Sequence, residues 1–366
     1  MLYPIMPLFL QSIGFSSVLI GVLEGFAEAT AGLSKGYFGR LSDAQGKRLP
    51  FVRWGYLLSS LSKSMMALWT NTAWIFTARA ADRLGKGIRT GARDAMLSDE
   101  STAETRGRVF GFHRTLDTFG AAIGPVLALV FLAFYPGQYK LMFALAFIPA
   151  AFSILLTFLI KETGVAANEK TTTSFGLQQT FNYLREASAD YRKLMFILLL
   201  FALFNSSDLF LLMKIKESGA DDRLVIGSYI LYNLVYALAA FPMGKLADSM
   251  GFKKTLVLGF VIFSAVYAGF AFNNSLIGFA LLYTGYGLYA AGTEGVAKAL
   301  VSKMVPKTES ASALGTFAGL NSIMLLFSST LAGILWQYVS PEAVFLTSAA
   351  GSILAAFLLY QWKTNH

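Results

Sequence analysis

Apolar runs of about twenty residues, separated by short polar or glycine- and proline-bearing stretches, recur along the whole chain. At 1.5 Å of helix rise per residue, each can cross a hydrocarbon core of ~30 Å. The pattern predicts spans over residues 18–37, 51–70, 74–94, 109–134, 140–160, 194–213, 225–243, 256–272, 276–297, 313–338 and 343–362. The opening MLYPIMPLFL is apolar but gives way at Gln11, which is about 15 Å of helix and half a span. Pro4 and Pro7 weaken it further. It reads as the outer half of a first helix whose inner half is missing. The fold class expected is an all-α polytopic membrane protein of twelve helices, the first incomplete.

The span over 74–94, WIFTARAADRLGKGIRTGARD, departs from the apolar pattern. Arg79, Asp82, Arg83, Lys86, Arg89 and Arg93 fall three or four apart, so they share an arc of roughly 120° on a helix. A charge at a helix centre in lipid costs about 2.5–3.5 kcal/mol, so the five from Arg79 to Arg89 would cost roughly 12–17 kcal/mol. Trp74, Ile75, Phe76, Leu84 and Ile88 return only about 2–3 kcal/mol. The stripe must therefore line a wet cavity or pair with neighbouring helices. A cytoplasmic loop helix is the alternative, but without this crossing Arg79 through Arg108 would all lie outside, against the inward bias of lysine and arginine.

A repeat and a charge asymmetry organise the spans. GRLSDAQG (39–46) and GKLADSMG (244–251) share G-x-L-x-D-x-x-G, and each follows the second span of its half. This implies two six-helix halves, 1–160 and 193–366. Residues 161–192 form a polar cytoplasmic linker with Thr171, Thr172 and Thr173, and Phe181, Leu184 and Ala187 supply an apolar edge for an interfacial helix. Twenty lysines and arginines fall in the presumed inner segments, against Lys140, Lys214, Lys216 and Arg223 in the presumed outer turns. Both repeat motifs and the C-terminus are thus expected in the cytoplasm, with the chain in a bacterial cytoplasmic membrane.

Composition then narrows the function. The net charge of +9 reads as loop bias plus the stripe, not as a nucleic-acid footprint. There are no cysteines, and the only histidines are His113 and His366, so thiolate and histidine metal sites are not expected. No phosphate loop or nucleophile motif points to an enzyme. No cofactor is expected; a proton gradient is the expected energy source.

The chain resembles the major facilitator superfamily over essentially its full length. Gly39, Asp43, Gly46, Lys47 and Arg48 match that family's loop motif, and Gly244, Asp248, Gly251, Lys253 and Lys254 match its echo. The resemblance implies two bundles rocking about a central cavity, with these residues as a conformational latch. Gly111, Gly120, Gly124 and Pro125 fit G-x8-G-x3-G-P, the fifth-helix motif of the family's antiporter branch, although Ala128 and Leu129 replace its final small residues. Physically, glycines at 120 and 124 would let another backbone approach, and Pro125 would remove one helical hydrogen bond.

Candidate chemistry follows from ionisable residues at membrane depth. Asp117, about 15 Å up the fifth helix, is expected to carry the coupling proton, with His113, Arg114 and Asp82 as partners. Arg79, Arg83, Lys86 and Arg89, with Asn205 and Asp208 of FNSSDLF, are expected to line the substrate cavity. Their positive excess suits an anionic or zwitterionic cargo. Glu294 and Lys298 form a local ion pair or inner gate, and Tyr283, Tyr286 and Tyr289 offer ring faces or simply pack. The function expected is proton-coupled export of a small organic molecule by a monomer in the lipid bilayer. Uptake of an organic anion and a non-transporting sensor are the alternatives.

Overall fold

The structure is a computed structural model that describes residues 3–99, 106–162, 177–305 and 310–362. Among these, every regular element is helical: a 3-10 turn Tyr3–Ile5, then α1 (Met6–Ser12), α2 (Ser17–Gln45), α3 (Leu49–Leu68), α4 (Thr72–Asp99), α5 (Arg106–Phe134), α6 (Tyr139–Leu145) and α7 (Phe147–Thr157). There follow α8 (Leu177–Glu186), α9 (Ala189–Phe204), α10 (Leu209–Glu217), α11 (Asp222–Met250), α12 (Phe252–Phe272), α13 (Leu276–Lys303), α14 (Ser310–Tyr338) and α15 (Pro341–Gln361). Each expected span has its helix or helix pair. Seven segments among the described residues are long and apolar enough to cross a membrane by composition. Others fall short because their inward faces are polar: Ser59, Ser60 and Ser62 of α3 and Arg79 and Arg83 of α4 are buried.

Three features differ from the pattern read off the sequence. The seventh span is discontinuous, α9 and α10 being separated at 205–208. The repeat motifs are largely helical rather than loops: α2 runs through Asp43 to Gln45, and α11 runs through Asp248 to Met250. Gly46 and Gly251, with φ of 61° and 92°, then end those helices in the left-handed region that glycine enters without strain. The interfacial helix is present as α8, whereas Thr171, Thr172 and Thr173 lie outside the described residues.

The contacts divide the chain into two compact units, one of Met1–Leu2 and Phe26–Leu177, the other of Tyr3–Gly25 and Gln178–His366. In the first, α4 is held against α3 and α2 by glycines. A Cβ on Gly85 would lie 2.7 Å from the Gly55 carbonyl and 2.8 Å from the Ser59 nitrogen, and one on Gly91 would lie 2.9 Å from Gly39 Cα. Backbones that close place whatever α4 carries against its neighbours, the small-residue packing typical of membrane helices. Gly120 behaves differently from the sequence expectation, with nothing within 4 Å of a Cβ built on it.

The second unit has an aromatic core. Phe201 stacks on Phe260 at 4.0 Å between ring centroids, and Phe263 on Tyr267 at 3.9 Å. Ser264 and Ser352 donate to the carbonyls of Ala349 (2.9 Å) and Phe260 (2.8 Å), tying α12 to α15. The outward faces carry exposed Leu238, Phe241, Leu281, Phe327 and Phe357, an apolar surface that suits lipid. The stretch Tyr3–Gly25 belongs here because Gly21 and Gly25 meet α14: a Cβ on either would fall within 2.7 Å of the Ser329 or Leu326 carbonyl.

Candidate functional site

The charged stripe of α4 is buried and paired at Arg79 and Arg83. Arg79 and Arg83 are 4% and 6% exposed. Arg83 Nη1 lies 3.1 Å from Glu28 Oε1 on α2. Asp82 Oδ1 lies 3.4 Å from Lys63 Nζ on α3, and Asp82 Oδ2 lies 3.8 Å from Arg79 Nη1. Serines of α3 complete the network. Ser62 donates to the Asp82 carboxylate (3.4 Å), Lys63 donates to the Ser59 carbonyl (2.6 Å), and Arg89 donates to Ser59 Oγ (2.9 Å) while its guanidinium lies 4.7 Å from the Tyr56 ring centre. Lys86 is exposed. Lower on α4, Asp94 meets Arg93 (3.2 Å) and Lys35 (3.5 Å).

Among the described residues, Arg83 thus pairs with Glu28, and Asp82 with Lys63 and Arg79. Buried ions are costly unless paired, so these pairs hold α4 against α2 and α3, and an anion entering here would compete for the same cations. The sequence reading missed Glu28 and Lys63, and also Glu24, which is fully buried one turn before Glu28. The signal was available: each is an ionisable residue inside an otherwise apolar span.

Asp117 is exposed on α5, and no hydrogen bond or ion pair involves it among the described residues; its charge is felt at Arg89. His113, one turn earlier, is half-buried. Arg114 and Gly111 lie on α5 and Asp43 on α2, but the described side chains do not include theirs. Gly124 and Pro125 are within α5, Pro125 buried.

In the second unit the break at 205–208 organises the polar groups. Leaving the helix there frees backbone groups that membrane helices ordinarily pair, an arrangement tolerated where protein or a cavity satisfies them. The Ser207 amide donates to Ser329 Oγ (3.2 Å), and Asn205 Nδ2 donates to the Tyr289 hydroxyl (3.1 Å). The Tyr286 hydroxyl donates to Asp208 Oδ1 at 2.5 Å, a charge-assisted bond. Tyr286 also lies 5.1 Å from Tyr232 and 5.3 Å from Tyr289. Asn205 Oδ1 and the Tyr283 hydroxyl are buried without a hydrogen-bond partner. Tyr286 of α13 thus does more than pack: its hydroxyl holds the Asp208 carboxylate.

The expected Glu294–Lys298 ion pair is not formed; Glu294 instead accepts from the Tyr236 hydroxyl (3.0 Å) on α11, a neighbour that helix spacing alone could not show. In the first repeat motif, Arg48 is buried and donates to Ser42 Oγ (3.0 Å), while Glu162 accepts from the backbone amides of Arg48 and, at 3.1 Å, Leu49. A carboxylate there caps the exposed donors at the start of α3. In the second, Lys253 donates to the Trp362 carbonyl, and Asp248 and Lys254 are exposed. Lys47 is exposed.

With this geometry in place, three comparisons bear on the chain. The family model described as Major Facilitator Superfamily matches residues 1–228 and 217–366. An uncharacterized MFS-type transporter of Methanocaldococcus jannaschii is 32% identical over 367 residues, covering 98% of this chain and 89% of its own. Among solved structures, a nucleoside transporter, NupG, superposes with a TM-score of 0.80 at 14% identity, covering 98% of this chain and 94% of its own. The human organic anion transporter MFSD10 does so with a TM-score of 0.69 at 19% identity, over 96% and 87%. At those identities the two structures bear on the fold alone.

Proposed function

The chain belongs to the Major Facilitator Superfamily, and from that premise we propose that it is a proton-coupled carrier of a small organic anion. It is a multi-pass membrane transporter and not an enzyme. The observation that carries the finer reading is the Glu28–Arg83 pair itself, a cation and a proton-binding group 3.1 Å apart at membrane depth. An anionic cargo docking on Arg83 must take that guanidinium from Glu28. A carboxylate deprived of its cation in a poorly hydrated place takes up a proton. Anion and proton then bind together, and by linkage each strengthens the other. That sign of coupling is co-transport. Asp82, held by Lys63 and Arg79, repeats the arrangement. Exposed Asp117 is the group through which the proton arrives. The carrier works as a monomer in a cytoplasmic membrane, its C-terminus inside.

A second reading, export by exchange for protons, is favoured by Gly111, Gly120, Gly124 and Pro125. The two are separated in proteoliposomes with a panel of labelled aliphatic and aromatic carboxylates under a pH gradient. A co-transporter accumulates solute in the alkaline compartment, an exchanger in the acidic one, whichever way the protein is inserted. Accumulation on the alkaline side is expected. Binding without flux would show a sensor and end both readings.

Coupling residues separate by kinetics. Glu28→Gln or Asp82→Asn is expected to lower the steady accumulation ratio while solute counterflow continues. Asp117→Asn is expected to slow the approach to steady state about tenfold and leave the ratio unchanged. An unchanged ratio in both Glu28→Gln and Asp82→Asn would remove them from the coupling path.

A further inference from the structure

The α9–α15 seam of the second unit carries a feature that transport does not use. Where α9 begins and α15 ends, a groove of about 520 Å³ opens to the surface. Arg192 and Lys193 line one wall, with Phe196 one turn further on; Leu358, Gln361 and Trp362 line the other. Both basic side chains are exposed, and neither meets a carboxylate among the described residues. Phe196 is exposed to 63%. Trp362 is buried, its carbonyl is held by Lys253 of α12, and its indole nitrogen has no acceptor among the described residues. Further along the same seam a second groove is lined by Phe204, Leu346, Ala350 and Leu354.

We infer that this seam binds one anionic phospholipid, its phosphate between Arg192 and Lys193 and an acyl chain laid along Phe196 and Leu358 toward Phe204. Three observations fix the occupant. The polar end carries two cations and no carboxylate among its lining residues, and it sits where two membrane-spanning helices terminate, which is where lipid phosphates lie. The apolar track begins directly beside it. From Arg192 to Phe204 the helix rises about 18 Å, close to the ~15 Å hydrocarbon depth of one leaflet. A free phosphate would use only the first feature, and a protein helix would leave the two cations without a counter-charge. By the lysine and arginine bias, the leaflet is the cytoplasmic one.

The test uses the full chain in detergent micelles doped with lipids brominated on the acyl chain, which quench nearby tryptophan. Brominated phosphatidylglycerol is expected to quench the component absent from Trp362→Phe at a mole fraction at least fivefold lower than brominated phosphatidylcholine does. In Arg192→Gln/Lys193→Gln the two lipids should quench alike, with an unchanged thermal midpoint showing the fold intact. Native mass spectrometry should show one retained phosphatidylglycerol, lost in the double variant. Equal quenching by both lipids in the wild type, a preference that survives the double substitution, or displacement of the lipid by millimolar inorganic phosphate would each overturn the assignment.

Discussion

Replacing Arg83 by methionine is expected to abolish accumulation and to destabilise the protein by about 1–3 kcal/mol, less than a fully buried pair would lose, because the Glu28 side chain is 34% exposed. Arg83 is 6% exposed, and Glu28 Oε1 stands 3.1 Å from it. With the guanidinium gone, Glu28 keeps a charge with poor hydration or takes a proton. The Arg83→Met/Glu28→Gln double variant removes both charges. It should recover most of the lost stability, because a neutral pair of similar volume costs little to bury. It should not recover transport, because both the anion's contact and the proton's seat are gone. Thermal unfolding in detergent and solute accumulation in proteoliposomes read the two quantities separately. Recovery of accumulation in the double variant would show that the pair only glues α2 to α4.

Adding a side chain at Gly85 is the other change with a large expected effect. A Cβ there would lie 2.7 Å from the Gly55 carbonyl and from Ser59 Oγ. Two of the nearest atoms are backbone, so the strain cannot be relieved by turning a side chain; α3 or α4 must move. Gly85→Val is expected to cost about 3 kcal/mol or more, at or above the upper range for overpacking. It should also displace Asp82 and Arg89, which bond to α3 through Lys63, Ser62 and Ser59. Loss of flux should accompany a fall in the unfolding midpoint. Gly120→Val is the control: nothing lies within 4 Å of its Cβ, so the midpoint should stay within ~1 °C while helix propensity rises slightly. A larger fall for Gly120→Val than for Gly85→Val would mean that the packing of the first unit differs from that described.

These two glycines show how a motif and a structure can rank residues differently. The fifth-helix pattern singles out Gly120 through its spacing, whereas the close approach is made by Gly55, Gly85 and Gly91. Spacing shows which residues share a helix face; it does not show which face meets another backbone. The same distinction explains the missed carboxylate. Glu28 lies in a run apolar enough to be read simply as a span, and its importance becomes evident only when Arg83 is found beside it.

What the chain's own pattern determined is the number and place of its spans, a G-x-L-x-D-x-x-G motif that occurs twice, and the fact that α4's charges could not face lipid. These follow from hydrogen-bonded helices in hydrocarbon, where length, period and charge leave few alternatives. Only the tertiary structure decided which groups answer those charges: Glu28 and Lys63 for the stripe, Tyr286 for Asp208, Tyr236 for Glu294. It also decided that the helix opens at Asn205–Asp208, a stretch with no proline to announce it. Pairings of that kind join residues 19 to 78 apart, and the energy that selects them comes from desolvation and close packing, which no local window of sequence contains.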